Sequence, residues 1–248
     1  MNATDLSILI PAFIAGVLVL LTHVPLGMKV LARGIIFADL AVAQIAGLGV
    51  VIAGLAGYAE HPLIVQLIAV ASALLGAALL SYIEHFLPEV REASIGLLFV
   101  LAASGGILLM SHDTHAGEHL KDLLVGQILW VSNTQLIATA VLSAAILAIW
   151  SLFRKNLGTF GFYALFALAV TASVQLVGVY LVFASLIVPA LATHKLRRQR
   201  IAIAYATGVT GYATGLLLSV WLDLPTGAAI VWMMALAGAS LMLMKRNN

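Results

Sequence analysis

The sequence predicts an all-α, polytopic membrane helix bundle of about nine transmembrane helices, and three observations lead to it. First, 63% of its residues are hydrophobic and only 9% are charged, whereas a soluble domain is about half apolar and about a quarter charged. There is too little polar material to cover a surface that faces water. Second, apolar runs close to the ~20 residues needed to cross a hydrocarbon core recur from end to end. Third, every basic residue except Lys121 falls on one side when those runs are threaded back and forth.

The first run, 8–28, has no positive stretch ahead of it and no small-residue cleavage site before Lys29, so it reads as a retained span and not a signal peptide. The runs that follow are 38–58, 62–82, 93–111, 134–153, 160–176, 178–194, 201–221 and 226–244. Gly178 separates two short runs placed back to back. No soluble domain, low-complexity segment or repeat interrupts the series, so residues 1–248 read as a single transmembrane domain.

Charge orients the runs. Lys29 and Arg33 follow the first, Arg91 the third, Arg154 and Lys155 the fifth, and Lys195, Arg197, Arg198 and Arg200 the seventh; Lys245 and Arg246 follow the last. Cytoplasmic loops carry the excess of Lys and Arg, which puts the N-terminus outside, the C-terminus in the cytoplasm and an odd number of crossings between them. Ala and Gly are abundant within the runs, Gly211 and Gly215 at GxxxG spacing among them, as expected where helix backbones approach closely.

Several function classes are excluded. The chain has no cysteine, which removes disulfides, iron–sulfur ligation and thiolate metal sites. A net charge of +2, explained by topology, gives no reason to expect a nucleic-acid partner. No nucleotide-binding loop, catalytic triad or pair of intramembrane carboxylates is present, so the chain does not read as an enzyme.

The residues suited to chemistry lie in three places. The longest outside segment carries His112, His115 and His119 at i, i+3 and i+7, with Glu118 and Asp122 at i, i+4; on a helix each set shares a face. Imidazole with carboxylate and no thiolate suits Zn(II), Mn(II), Ni(II) or Fe(II), although a solvated loop rich in His explains the same residues. Within the membrane, Asp39 opens the second run, Gln44 lies deeper in it, and Gln175 sits with Thr171, Ser173 and Ser185 in the sixth and seventh. An ionisable group at membrane depth is costly and marks a pathway or a paired site; at the inner end of a span, Asp39 is equally suited to cap its helix. His23, near Pro25, reads as a locally satisfied kink. On the cytoplasmic side, Glu84, His85, Glu89, Arg91 and Glu92 form one charged turn, and Lys195, Arg197 and Arg198 another; His194 reads as the end of its helix.

Four segments together resemble the permease subunits of zinc- and manganese-importing ABC transporters, the metal relatives of the cobalamin and siderophore permeases. FADLAVAQIAGLGVVIA (37–53) is similar to that family's inside-to-membrane segment, where an Asp is followed about a turn later by a Ser–His pair and then a Gly. LLVGQILWVSNTQL (123–136) is similar to its G-x-I-L-x-V-S segment, and QLVGVYLVFASLIVPALAT (175–193) to its V-G-x-x-L-V-x-A-x-x-I-x-P-A segment. LDLPTGAAIVW (222–232) is similar to its D-x-P-[ST]-G-x-x-I-V segment.

The resemblance implies a bacterial inner-membrane importer of a divalent transition metal, zinc or manganese. It also implies a homodimer with the pathway between protomers, a cytoplasmic ATPase pair and an extracytoplasmic metal-binding protein. ATP then acts only through the partner, and the metal is substrate rather than cofactor. Asp39, Gln44 and Gln175 are the expected pathway residues. His112, His115, Glu118, His119 and Asp122 are the expected metal-receiving site or docking surface at the outer mouth, and Glu89, Arg91, Lys195, Arg197 and Arg198 the expected cytoplasmic partner contacts.

The chain departs from the family pattern twice. Ala43 or Gln44 stands where the family places its His. Only RKNLGT (154–159) joins the fifth and sixth runs, where the family carries a coupling helix, and a helix of ~10–15 residues does not fit in that length. The second departure keeps two alternatives open: an ATP-independent metal channel or secondary carrier derived from the family, and a non-transporting membrane scaffold or sensor.

Overall fold

Two prolines, Pro11 and Pro25, lie inside the first helix without ending it, and the helix runs on until Gly34 turns the chain with a positive φ of 66°. The computed structural model describes residues 3–111, 124–153, 156–196 and 198–246, and no strand is present among them. The helices are α1 (Ala3–Arg33), α2 (Ala38–Ala53), α3 (Pro62–Phe86), α4 (Arg91–Leu109), α5 (Asn133–Phe153), α6 (Gly158–Val177), α7 (Val179–Ala192), α8 (Arg200–Leu222) and α9 (Thr226–Arg246). A π turn, Gly54–Tyr58, prolongs α2, and a single 3-10 turn, Ile128–Trp130, precedes α5. Eight of the helical segments are long and apolar enough to cross a membrane, and Val179–Ala192 is a shorter apolar helix. The expected bundle is therefore present, with boundaries within a few residues of those read from hydropathy.

Local chemistry sets the breaks. Pro62 occupies the first turn of α3, where its missing N–H costs nothing. Asp223 adopts the left-handed conformation at the end of α8. Ser219 then closes that corner by donating to the Leu224 carbonyl (2.7 Å) and pairing with the Thr226 hydroxyl (2.7 Å). The His194 imidazole lies 2.7 Å from the Leu191 carbonyl beyond α7, the helix-ending role read from sequence.

The chain divides into two compact units. The first comprises Met1–Arg33, Leu124–Leu147 and Ser173–Asn248, and the second Gly34–Leu123 and Ala148–Ala172. In the first, α8 packs on α9 and α1 packs on α7 and α8. Gly211 and Gly215 rest against Met234 and Ile230 of α9, and Gly27 rests on the Leu186 backbone of α7. The GxxxG pair thus does what its spacing predicts: it removes side chains where two backbones meet.

In the second unit, α2 packs against α3 and α4, with Gly49 on Ser72 and Gly76 on Ile45. The small residues Ala69, Ala73, Gly76 and Ala77 of α3 are buried, while Leu63, Leu67 and Leu75 are exposed. A water-soluble helix would reverse this arrangement. It is the distribution expected when the surroundings are as apolar as leucine and only close packing holds helices together.

Candidate functional site

The turn after α1 leads into the most unusual group of the second unit. The Arg91 guanidinium lies over Gly34, and the Phe37 N–H donates to Glu92 Oε1 across 3.2 Å. These contacts tie the α1–α2 turn to the α3–α4 turn, both on the predicted cytoplasmic side. Phe37 then begins α2, and no side chain caps it.

Asp39 follows in the first turn of α2. It is 1% exposed, and neither carboxylate oxygen has a hydrogen-bond partner of good geometry, although the amides of Asp39 and Leu40 lie close by. These two first-turn amides are the contacts that a capping role of Asp39 would use, and no other side chain caps the start of α2. The positive end of α2 favours an anion there. Both acceptor oxygens are left without a bonded donor in a place where water does not reach. Ala43, one turn on, shares the buried face with Asp39. Gln44 is turned about 140° from Asp39 around the helix and is half-buried. The position stacked on the carboxylate thus brings no ligand.

In the first unit, polar groups gather along the middle of α1. Pro25 has no N–H to offer the Leu21 carbonyl, and the Tyr205 hydroxyl of α8 donates to that oxygen instead, at 3.0 Å. His23 is fully buried. Its Nδ1 lies 2.9 Å from the Val19 carbonyl and 3.0 Å from Thr22 Oγ1, while Nε2 has no partner. Ser185 of α7 meets the Tyr212 hydroxyl of α8 at 2.9 Å and so bridges two helices. The kink reading of His23 accounts for one ring nitrogen and misses the other. The signal was available in sequence: a threonine and a histidine one residue short of a proline, all inside one apolar run.

At the predicted outer end of the same unit, three of the motif glycines converge. Gly126 (φ 72°) and Gly178 (φ 80°) sit backbone to backbone, and Gly227 rests on the Val125 carbonyl. The segments 123–136, 175–193 and 222–232, far apart in sequence, meet at this corner. Gln175 stands just before it and is exposed.

The remaining expected residues fall as follows. His112, His115, Glu118, His119, Asp122 and Arg197 lie outside the described residues. Glu89, Lys195 and Arg198 are exposed and Arg91 is half-buried. Among the described residues no group of three or more His, Cys, Asp and Glu side chains comes together. Among the described residues, polar groups at membrane depth are thus set singly or in pairs, without a closed coordination cage.

Residues 5–163 and 157–245 match the ABC 3 transport family in two stretches that overlap at 157–163, the start of α6. The chain is 28% identical to the manganese transport system membrane protein MntC of Halalkalibacterium halodurans, over 89% of this chain and 81% of that protein. It is 29% identical to a probable metal transport system membrane protein of Thermotoga maritima, over 93% and 87%. A probable iron transport system membrane protein of Haemophilus influenzae is 28% identical over 58% of this chain, which spans 61% of that protein's length. Among solved structures, PsaBC from Streptococcus pneumoniae in complex with Fab superposes with a TM-score of 0.76 at 23% identity, over 98% of this chain and 95% of that one; this likeness shows the fold. With matches that together take in nearly the whole chain, and with the multi-span helical fold to go with them, the chain belongs to the ABC 3 transport family.

Proposed function

We propose that the chain is the membrane-spanning permease subunit of an importer for a divalent transition metal ion, manganese or zinc, in a bacterial inner membrane. Residues 1–248 act as one permease domain with no enzymatic activity of their own. The observation that carries this reading is Asp39, a buried carboxylate without a bonded donor at the start of a membrane helix. A transport protein retains such a group at a cost of several kcal/mol (about that for one buried ion) when a cation is its intermittent partner. The names of the relatives, which speak of manganese, iron and metal transport, support the substrate class. Gln44 and Gln175 are the further pathway residues, and the 112–122 segment receives the ion at the outer mouth.

The mechanism that follows is alternating access in a homodimer, driven by a cytoplasmic ATPase and supplied by an extracytoplasmic binding protein. With only residues 154–157 between α5 and α6, the ATPase engages other inside turns. The α3–α4 turn is the best placed, because the Phe37–Glu92 hydrogen bond and the Arg91–Gly34 contact link it to the residues that lead into Asp39. Glu89 and Arg91 there are docking residues, and Lys195, Arg197 and Arg198 in the α7–α8 turn are docking residues of their own unit.

The same short turn favours a second reading, an ATP-independent carrier of the same ion. Uptake of radioactive Mn2+ or Zn2+ in cells whose cognate ATPase has lost its Walker lysine separates the two. Uptake falls to background if the chain is an ABC permease. Persistent uptake selects the carrier. No uptake by the wild-type system overturns both.

A further inference from the structure

The imidazole of His23 is held in a definite tautomer. The Val19 carbonyl can only accept, and at 2.9 Å from Nδ1 it requires a proton on that nitrogen, since two facing lone pairs would repel. Thr22 Oγ1, which donates to the same carbonyl at 3.1 Å, can then accept from Nδ1–H with its own lone pair. Nε2 is consequently the nitrogen with the free lone pair. It is buried and has no hydrogen-bond partner, in a residue with no exposed surface.

This is the state of a metal-binding histidine before its ion arrives: one ring nitrogen donates to a backbone carbonyl, fixing tautomer and orientation, and the other is bare. A purely structural histidine would be expected to use both nitrogens, because an unsatisfied buried acceptor costs about 1–3 kcal/mol. His61, His85 and His194 lie at helix ends or turns and are exposed. Among the described residues, His23 is therefore the one imidazole buried within a membrane-spanning helix. The α2 face that carries Asp39 continues with Ala43 and supplies none.

We propose that His23 Nε2 is a direct contact for the transported dication inside the membrane, which rests on the metal-transport reading above. The ligand is a borderline divalent ion such as Mn2+ or Zn2+, for which neutral imidazole is suited. One imidazole, with no group of three or more His, Cys, Asp or Glu side chains around it among the described residues, makes a weak site. Weak sites suit a pathway, where an ion must leave as readily as it enters.

Asparagine and glutamine separate the two nitrogens. The amide of His23→Asn stands near Nδ1 and keeps the Val19 contact, but nothing remains at the Nε2 position; His23→Gln reaches that position. With the full transporter in membranes, His23→Asn is expected to melt like wild type and raise half-saturating Mn2+ by about tenfold or more, with His23→Gln in between. A folded His23→Asn variant with unchanged half-saturation overturns the assignment of His23 and leaves the transport reading standing. If wild-type transporter takes up no dication, both fall.

A second measurement leaves His23 in place. A full-length variant in which the other six histidines are replaced retains one imidazole. Pulsed EPR of Mn2+ added to it is expected to show nitrogen modulation from that ring. Absence of the modulation in folded protein overturns the proposal even where His23→Asn fails to fold.

Discussion

Asp39 is a residue whose environment argues against its own stability. An isolated carboxylate withdrawn from water costs several kcal/mol unless it is paired, and this one has neither a bonded donor nor solvent. Asp39→Asn keeps the shape and removes the charge, so stability and function are expected to part. The variant gains about 1–3 kcal/mol of stability, read as a higher melting temperature in detergent, while metal uptake falls by about tenfold or more. A lower melting temperature would instead make Asp39 a structural element of the α2 start. The sequence places Asp39 at the start of a span and leaves capping and pathway open. Phe37 begins α2 with no capping side chain, and the pathway role of Asp39 is the proposal that this prediction tests. His23 shows the opposite limit: its type and depth could be read, but the state of each ring nitrogen depends on atoms of its own helix turn that hydropathy does not register.

At the scale of elements, the outer corner of the first unit is where the backbone has least freedom. Gly178 combines φ 80° with ψ 163°, a region essentially reserved for glycine, and a Cβ there would fall on the Val125–Gly126 backbone. Gly178→Ala is expected to destabilise the permease by about 3 kcal/mol or more, adding backbone strain to the steric clash. Gly96, in α4, has nothing near its missing Cβ, so Gly96→Ala is expected to raise stability by about 0.5–1 kcal/mol through helix propensity. Thermal melting of the two purified variants beside wild type checks both signs, and equal effects would remove the corner's special status. The helices themselves were legible because lipid demands long apolar runs, and the Gly178 break because it divides one run too long for a single span. The convergence of Gly126, Gly178 and Gly227 was not. Each is an ordinary glycine in a local window, and only the return of three distant segments to one place gives them a common function.

At the scale of the whole molecule, α7 decides the topology. Its 14 residues reach only ~21 Å at 1.5 Å per residue, short of a ~30 Å hydrocarbon core. A lipid-facing helix of that length would be mismatched, but ten of its residues are buried, Leu181, Ser185 and Pro189 among them, so protein and not lipid surrounds much of it. A buried helix need not match the bilayer thickness, because its ends are served by neighbouring protein. Counting α7 as a crossing keeps Lys195, Arg198 and Arg200 on the same side as Lys29, Arg33 and Arg91. Leaving it out would carry the first group to the other side against the positive-inside rule. The absence of native cysteine makes a direct test available with single-cysteine variants at the exposed positions Glu60, Glu89, Arg198 and Asp223. In intact spheroplasts, a membrane-impermeant maleimide is expected to label the cysteines at 60 and 223, and to reach those at 89 and 198 only after permeabilisation. Labelling at 198 with protection at 223 would show that α7 turns back without crossing. The cytoplasmic docking surface proposed for Lys195, Arg197 and Arg198 would then be lost, leaving the α3–α4 turn as the one inside contact for an ATPase.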